Sequence, residues 1–140
     1  MKYFLLILFV ASQISYSQIS DGETLDNLEV IGEVRNTSLS KTENGEYDNY
    51  YLTFQNLEYP NITDMKTLSF NANDSELDKL YNFLKSGFKT KERKKIEVGE
   101  NTVIIKKVSW SIRIDVLFDV ETDGWFYLSK RKLDKLFGKR

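Results

Sequence analysis

The chain predicts an α+β fold: an antiparallel sheet of six to seven strands with two helices packed on one face. Three observations point there. Stretches that alternate apolar and polar residues, rich in β-branched and aromatic side chains, recur along the sequence. Two other stretches carry apolar residues at helical spacing behind a capping residue. Each of these follows a group of strand-like stretches, and strand runs punctuated by helices fit a two-layer architecture. A small β-sandwich is the alternative.

The first seventeen residues stand apart from that pattern. Met1-Lys2 supplies a charge, Tyr3 to Val10 (YFLLILFV) is unbroken apolar, and Ser15-Tyr16-Ser17 sets small residues three and one before Gln18. This order is the one a secretory signal peptide requires, and the run is too short to span a bilayer, which takes about 20 apolar residues. Residues 1–17 are therefore expected to be a signal peptide, 18–27 a flexible polar lead-in, and 28–140 a single globular domain. No second apolar stretch approaches membrane-spanning length.

The elements follow in order. Leu28, Val30 and Val34 alternate with Glu29, Glu33 and Arg35, as in a strand. Asn44-Gly45 is a hairpin signal, and Tyr50 to Phe54 is the return strand. A third strand is expected near Met65 to Phe70. Asn73 with Glu76 has the spacing of a capping box, and Leu77, Leu80, Tyr81 and Leu84 form one helical face. Gly87 is expected to end this helix in the left-handed conformation, with Phe88 folding back on Phe83. Lys94 to Val98 and Thr102 to Val108 flank a tight Gly99-Glu100-Asn101 connection. Trp110, Ile112, Ile114, Val116 and Phe118 then share one strand face, and Asp123-Gly124 turns the chain into Trp125 to Leu128. A short last helix is capped by Ser129, buries Leu133, Leu136 and Phe137, and ends at Gly138. Leu77, Leu80, Leu84, Ile112, Ile114 and Val116 are expected to be buried together.

Leu-Asp-Lys-Leu occurs at 77–80 and again at 133–136, 56 residues later. That hints at a weak internal duplication, although the strands do not align at the same offset. By topology alone the two halves resemble small duplicated sheet-and-helix folds, some of which bind single-stranded nucleic acid. Export argues against nucleic acid as the partner here.

Composition closes several chemistries. With neither cysteine nor histidine, disulfides, imidazole-based catalysis and ordinary zinc sites are excluded. No phosphate loop, dinucleotide fingerprint or nucleophile elbow is present. The net charge of −1 hides a strong segregation. Residues 18–84 hold thirteen acidic and four basic side chains, a balance of −9, whereas residues 85–140 hold fifteen basic and eight acidic, a balance of +7. Such asymmetry is a sign of charged partners, or of halves that pair with each other.

Two clusters are candidates for chemistry. Asp119, Glu121 and Asp123 before Gly124 resemble the start of a calcium loop, yet Lys130 stands where a bidentate glutamate belongs, and a hairpin turn accounts for the same residues. Lys94 and Lys95 belong to the densest basic run, which a solvated loop leaving a helix end also explains. Lys130, Arg131 and Lys132 crowd the start of the last helix, where positive charge opposes the helix dipole at a few tenths of a kcal/mol each. These five residues are the candidate partner-binding set. The expected function is a small exported, non-enzymatic binding or interaction module in the periplasm or medium. It needs no cofactor, and its partner is an anionic protein or glycan. The alternative is an exported hydrolase using carboxylates near residues 115–123, with calcium assistance.

Cleavage before Gln18 is the testable expectation: intact-mass measurement of the exported protein should give residues 18–140, and a cytoplasmic product that keeps Met1 to Ser17 would refute it.

Overall fold

Residues 28–118 and 123–139 are described by the computed structural model. Strands β1 (Glu29–Val34), β2 (Thr37–Thr42), β3 (Asp48–Gln55) and β4 (Met65–Ala72) form an antiparallel sheet in that order, and helix α1 (Asp74–Ser86) follows. Strands β5 (Lys94–Val98), β6 (Asn101–Val108), β7 (Ser111–Leu117) and β8 (Gly124–Ser129) form a second such sheet, followed by α2 (Lys130–Leu136). The class is α+β, but among the described residues the strands are eight and lie in two sheets, not in one sheet of six to seven. Alternation reveals which face of a strand is buried, not which strand is its neighbour. Nothing local announces that β5 starts a new ladder instead of extending β4.

Both sheets and both helices contribute to one core. Leu80, Leu84, Leu133, Leu136 and Phe137 from the helices belong to the same buried cluster as Leu39, Leu52 and Phe54 of the first sheet and Ile105, Ile114 and Phe126 of the second. Of the expected core, Leu80, Leu84, Ile112, Ile114 and Val116 are buried and Leu77 is half-buried. Phe54 stacks on Phe126 with ring centroids 4.4 Å apart, which fastens β3 to β8 across the halves. Beside it Asn56, fully buried, accepts from the Trp125 and Glu58 amides through Oδ1 at 3.1 Å and donates to Asp64 at 3.0 Å. A buried amide needs such partners, and this one spends them on tying the β3–β4 loop to β8.

The helices do not share one sheet face. The end of α2 lies on β1, where a Cβ on Gly32 would collide with the carbonyl oxygens of Lys135 and Leu136. The end of α1 lies on the other sheet, where a Cβ on Gly87 would come within 2.9 Å of Ile105 Cδ1 and 3.1 Å of Ile112 Cγ2. Gly87 is also not left-handed, having φ −64°. It is required for close approach to β6 and β7, not for a turn. Both caps form as expected: Asn73 Oδ1 accepts from the Glu76 amide at 2.9 Å and Ser129 Oγ from the Lys132 amide at 3.3 Å. Gly138, at φ +67°, ends α2.

Trp110 departs from its expected place on the buried face. The strand begins one residue later, and Ser109-Trp110 is the two-residue turn between β6 and β7, with Ser109 at φ +57°. Alternation continued past the strand end into the turn, so its parity carried no information there.

The two halves repeat in pairing register, apart from a bulge between Val30 and Gly32 that β5 lacks. Val34, Leu39 and Leu52 match Val98, Val103 and Val116 in pairing position, each 64 residues apart. Leu68 and Phe70 match Gly124 and Phe126, 56 residues apart, and the helices keep that offset. The Leu52–Leu68 hairpin is therefore eight residues longer than its Val116–Gly124 counterpart. That insertion is why no single offset aligns the sequence.

The repeated Leu-Asp-Lys-Leu segments meet where the helices cross. Tyr81 Oη donates to Asp134 at 2.5 Å, and Lys139 Nζ reaches Asp78 at 2.7 Å while lying over the Tyr81 ring. The bond to Asp134, with burial and that carboxylate's charge behind it, pushes the Tyr81 phenol up to about 12.

Two outcomes follow from this packing. Gly32→Ala should cost about 3 kcal/mol or more, the upper end for overpacking, because backbone cannot give way as a side chain does. Gly45→Ala, at φ +74° with nothing within 4 Å of the added methyl, should cost only about 1–2 kcal/mol. Urea unfolding of both ranks them, and equal losses would mean that α2 is not seated on β1. Tyr81→Phe should destabilise the protein at neutral pH. Because the phenol's folded value lies above its unfolded value near 10, the bond's contribution is complete below pH 10 and lost as pH rises through 12. The urea midpoints of wild type and Tyr81→Phe should therefore converge over that window, and a constant gap would contradict the assignment.

Candidate functional site

A concentration of unbalanced charge lies where α2 passes the β1–β2 turn. There Val34, Arg35, Ser129, Arg131, Lys132 and Lys135 line a groove of about 570 Å³. An adjoining space of about 400 Å³ shares Val34, Arg35 and Lys132 and continues toward Gln55, Leu57 and Phe126. Four cations face one groove. Among the described residues none of them has a carboxylate within ion-pair distance. Two like unit charges 8 Å apart in water repel by roughly 0.5 kcal/mol, so the arrangement is mildly unfavourable and nothing within the groove offsets it.

The structure builds this groove from two sequence-distant pieces. Val34 pairs with Thr37, leaving Arg35-Asn36 as a two-residue turn with Arg35 at φ +49°. Asn36 is held in place by its bond to Gln55 at 2.5 Å. The Ser129 cap starts α2 directly after β8, so its first turn presents Arg131 and Lys132, and the next turn adds Lys135. Seating of the helix end on Gly32 then fixes α2 against β1.

The equivalent place, between the β5–β6 turn and α1, supplies an internal control. There the turn residue matching Arg35 is Gly99, at φ +60°, the residue that a positive φ favours. After the Asn73 cap, Asp74 and Glu76 occupy the first turn of α1, as the helix dipole prefers. Their counterparts after the Ser129 cap are Lys130 and Lys132. The corresponding cleft, of about 150 Å³, carries Glu76, Glu97 and Lys79. Arg35 and Lys132 thus each sit where local backbone physics favours another residue, and both line the same groove.

Of the five residues expected to bind a partner, the structure brings Arg131 and Lys132 into the groove and leaves Lys130 exposed at its edge. Lys94 and Lys95 lie on β5, at the far edge of the second sheet from β8. Lys94 donates to Ser86 at 2.7 Å and covers the Phe83 ring, which makes it a clasp between β5 and α1. Lys95 is exposed on that sheet's outer surface. Arg35 and Lys135, which also line the groove, were not among those five. The detectable signal for Arg35 was a non-glycine residue in a turn whose repeat uses glycine.

The carboxylates divide differently. Both oxygens of Asp115 accept from Arg113 at 3.0–3.2 Å, and the guanidinium also lies 4.2 Å from the Trp125 ring. Asp123 is exposed beside Gly124, while Asp119 and Glu121 lie outside the described residues. Among the described residues no three acidic side chains gather as a metal would need, and no helix is long and apolar enough to cross a membrane.

No protein-family model matches this chain, and no curated protein or solved structure matches it either.

Proposed function

We propose that the chain is a non-enzymatic binding module that holds an anionic partner in the groove between the β1–β2 turn and α2. The observation that carries this reading is the pairing of Arg35 with Lys132: two positions whose backbone settings favour glycine and an acidic residue hold cations aimed at one space. Local cost without local benefit is the mark of a site kept for a ligand. In this reading the halves descend from one strand-strand-strand-strand-helix unit, and the cleft between the β1–β2 turn and α2 acquired positive charge after duplication. The leader exports the protein, so the partner is an acidic protein or a sulfated or carboxylated glycan, met outside the cytoplasm. Arginine and lysine serve such ligands by complementary means, the one by forked hydrogen bonding and the other as a point charge.

Retention on a sulfated-glycan column tests the proposal. Elution should move to lower salt when Arg35, Arg131 and Lys132 are all replaced by Gln, with affinity near 0.15 M salt down by roughly tenfold or more. Stability should hold or rise by a few tenths of a kcal/mol, since charge opposing the helix dipole is removed. Lys94→Gln with Lys95→Gln should change retention little. Equal retention of wild type and triple variant would overturn the proposal.

A further inference from the structure

The β6–β7 end of the molecule presents a second surface, built from different residues. Trp110 is 89% exposed at the tip of a hairpin closed by the Val108–Ser111 pair, and Val108 beside it is 38% exposed. The other tryptophan shows that the fold can house such a ring. Trp125 is half-buried, with its ring against Tyr127 at 5.3 Å and Arg113 at 4.2 Å. Trp110 has no ring or cation contact among the described residues. Cations share this end of the molecule. Lys106 and Lys107 are exposed on the same hairpin, and the Ser111–Ser129 pair places exposed Lys130 at the same end of the neighbouring strand. Residues 106–112 and 129–133 contain no acidic side chain.

We propose that this end docks on a membrane surface rich in anionic phospholipid, with Trp110 entering the interfacial layer and Lys106, Lys107 and Lys130 meeting the headgroups. The shape favours this partner over a sugar. Small-ligand sites are concave with convergent polar groups, whereas Trp110 projects from a two-residue turn with no cradle around it. An indole suits the boundary between headgroups and acyl chains, having an apolar body and one donor. Cations near an anionic leaflet add affinity of about fivefold each, over a range of about 8 Å at physiological salt. The groove is lined by other residues, so either proposal stands if the other falls.

The test uses residues 18–140, which contain all eight strands and both helices, and a Trp125→Phe variant in which Trp110 is the sole tryptophan. Its emission should shift to the blue with phosphatidylcholine vesicles containing phosphatidylglycerol, and lipids brominated in the acyl chain should quench it. Vesicles of phosphatidylcholine alone should leave it unchanged. Trp110→Ala should weaken vesicle binding by about tenfold or more, and Lys106→Gln with Lys107→Gln by about fivefold for each lysine removed. The triple groove variant should keep the blue shift. An emission that stays that of a solvated indole at saturating anionic vesicles would overturn the proposal, as would an equal shift with phosphatidylcholine alone. A shift produced by dextran sulfate but not by vesicles would also overturn it, and would assign the tip to a glycan.

Discussion

Each sheet in this protein depends on the helix that belongs to the other half. A four-stranded antiparallel sheet has an apolar face that must be covered, and the shortest solution would lay each helix back on the sheet it follows. Instead the end of α2 is pressed to the backbone of β1 at Gly32, and the end of α1 to Ile105 and Ile112 of β6 and β7. The remaining long-range features support that exchange. The Phe54–Phe126 stack and the Asn56 bonds hold the sheets together, while the Tyr81–Asp134 and Asp78–Lys139 pairs hold the helices together. The groove exists because of it: α2 lies beside Arg35 only because it reaches across to the first sheet.

Much of this architecture was legible in the residues, and the illegible part has a common cause. The span of α1 followed from signals a few residues apart, an asparagine cap and a stripe of leucines, and those signals do not depend on the rest of the fold. Most strand faces were legible for the same reason. Sheet membership was not, because a strand's neighbour is chosen by long-range packing. The repeat was half-visible, since Leu-Asp-Lys-Leu recurs but an eight-residue difference in one hairpin breaks the offset. Trp110 was misplaced because a pattern of period two cannot tell where a strand stops. For the groove, Lys130 to Lys132 stood out through their conflict with the helix dipole, whereas Arg35 became informative only once Gly99 could be set beside it.

That comparison between halves says more than either half alone. The two clefts share backbone geometry, cap position and flanking strands, so differences between them are not demanded by the fold. One holds Gly99 with Glu76, the other Arg35 with Lys132. A molecule built twice on one plan carries its own reference state, and the departure from it is concentrated in charge.

The exchange of helices also governs when the chain can become a folded object. Gly32 must wait for the carbonyls of Lys135 and Leu136, about a hundred residues downstream, before β1 is covered. Such distant contacts make for slow closure, because the entropy of joining the ends is lost before the contact forms. A chain emerging N-terminus first from a ribosome therefore has its first sheet present but unsealed until α2 appears. Commitment to the native state is postponed until α2 has been made, because only then does the first sheet receive its cover.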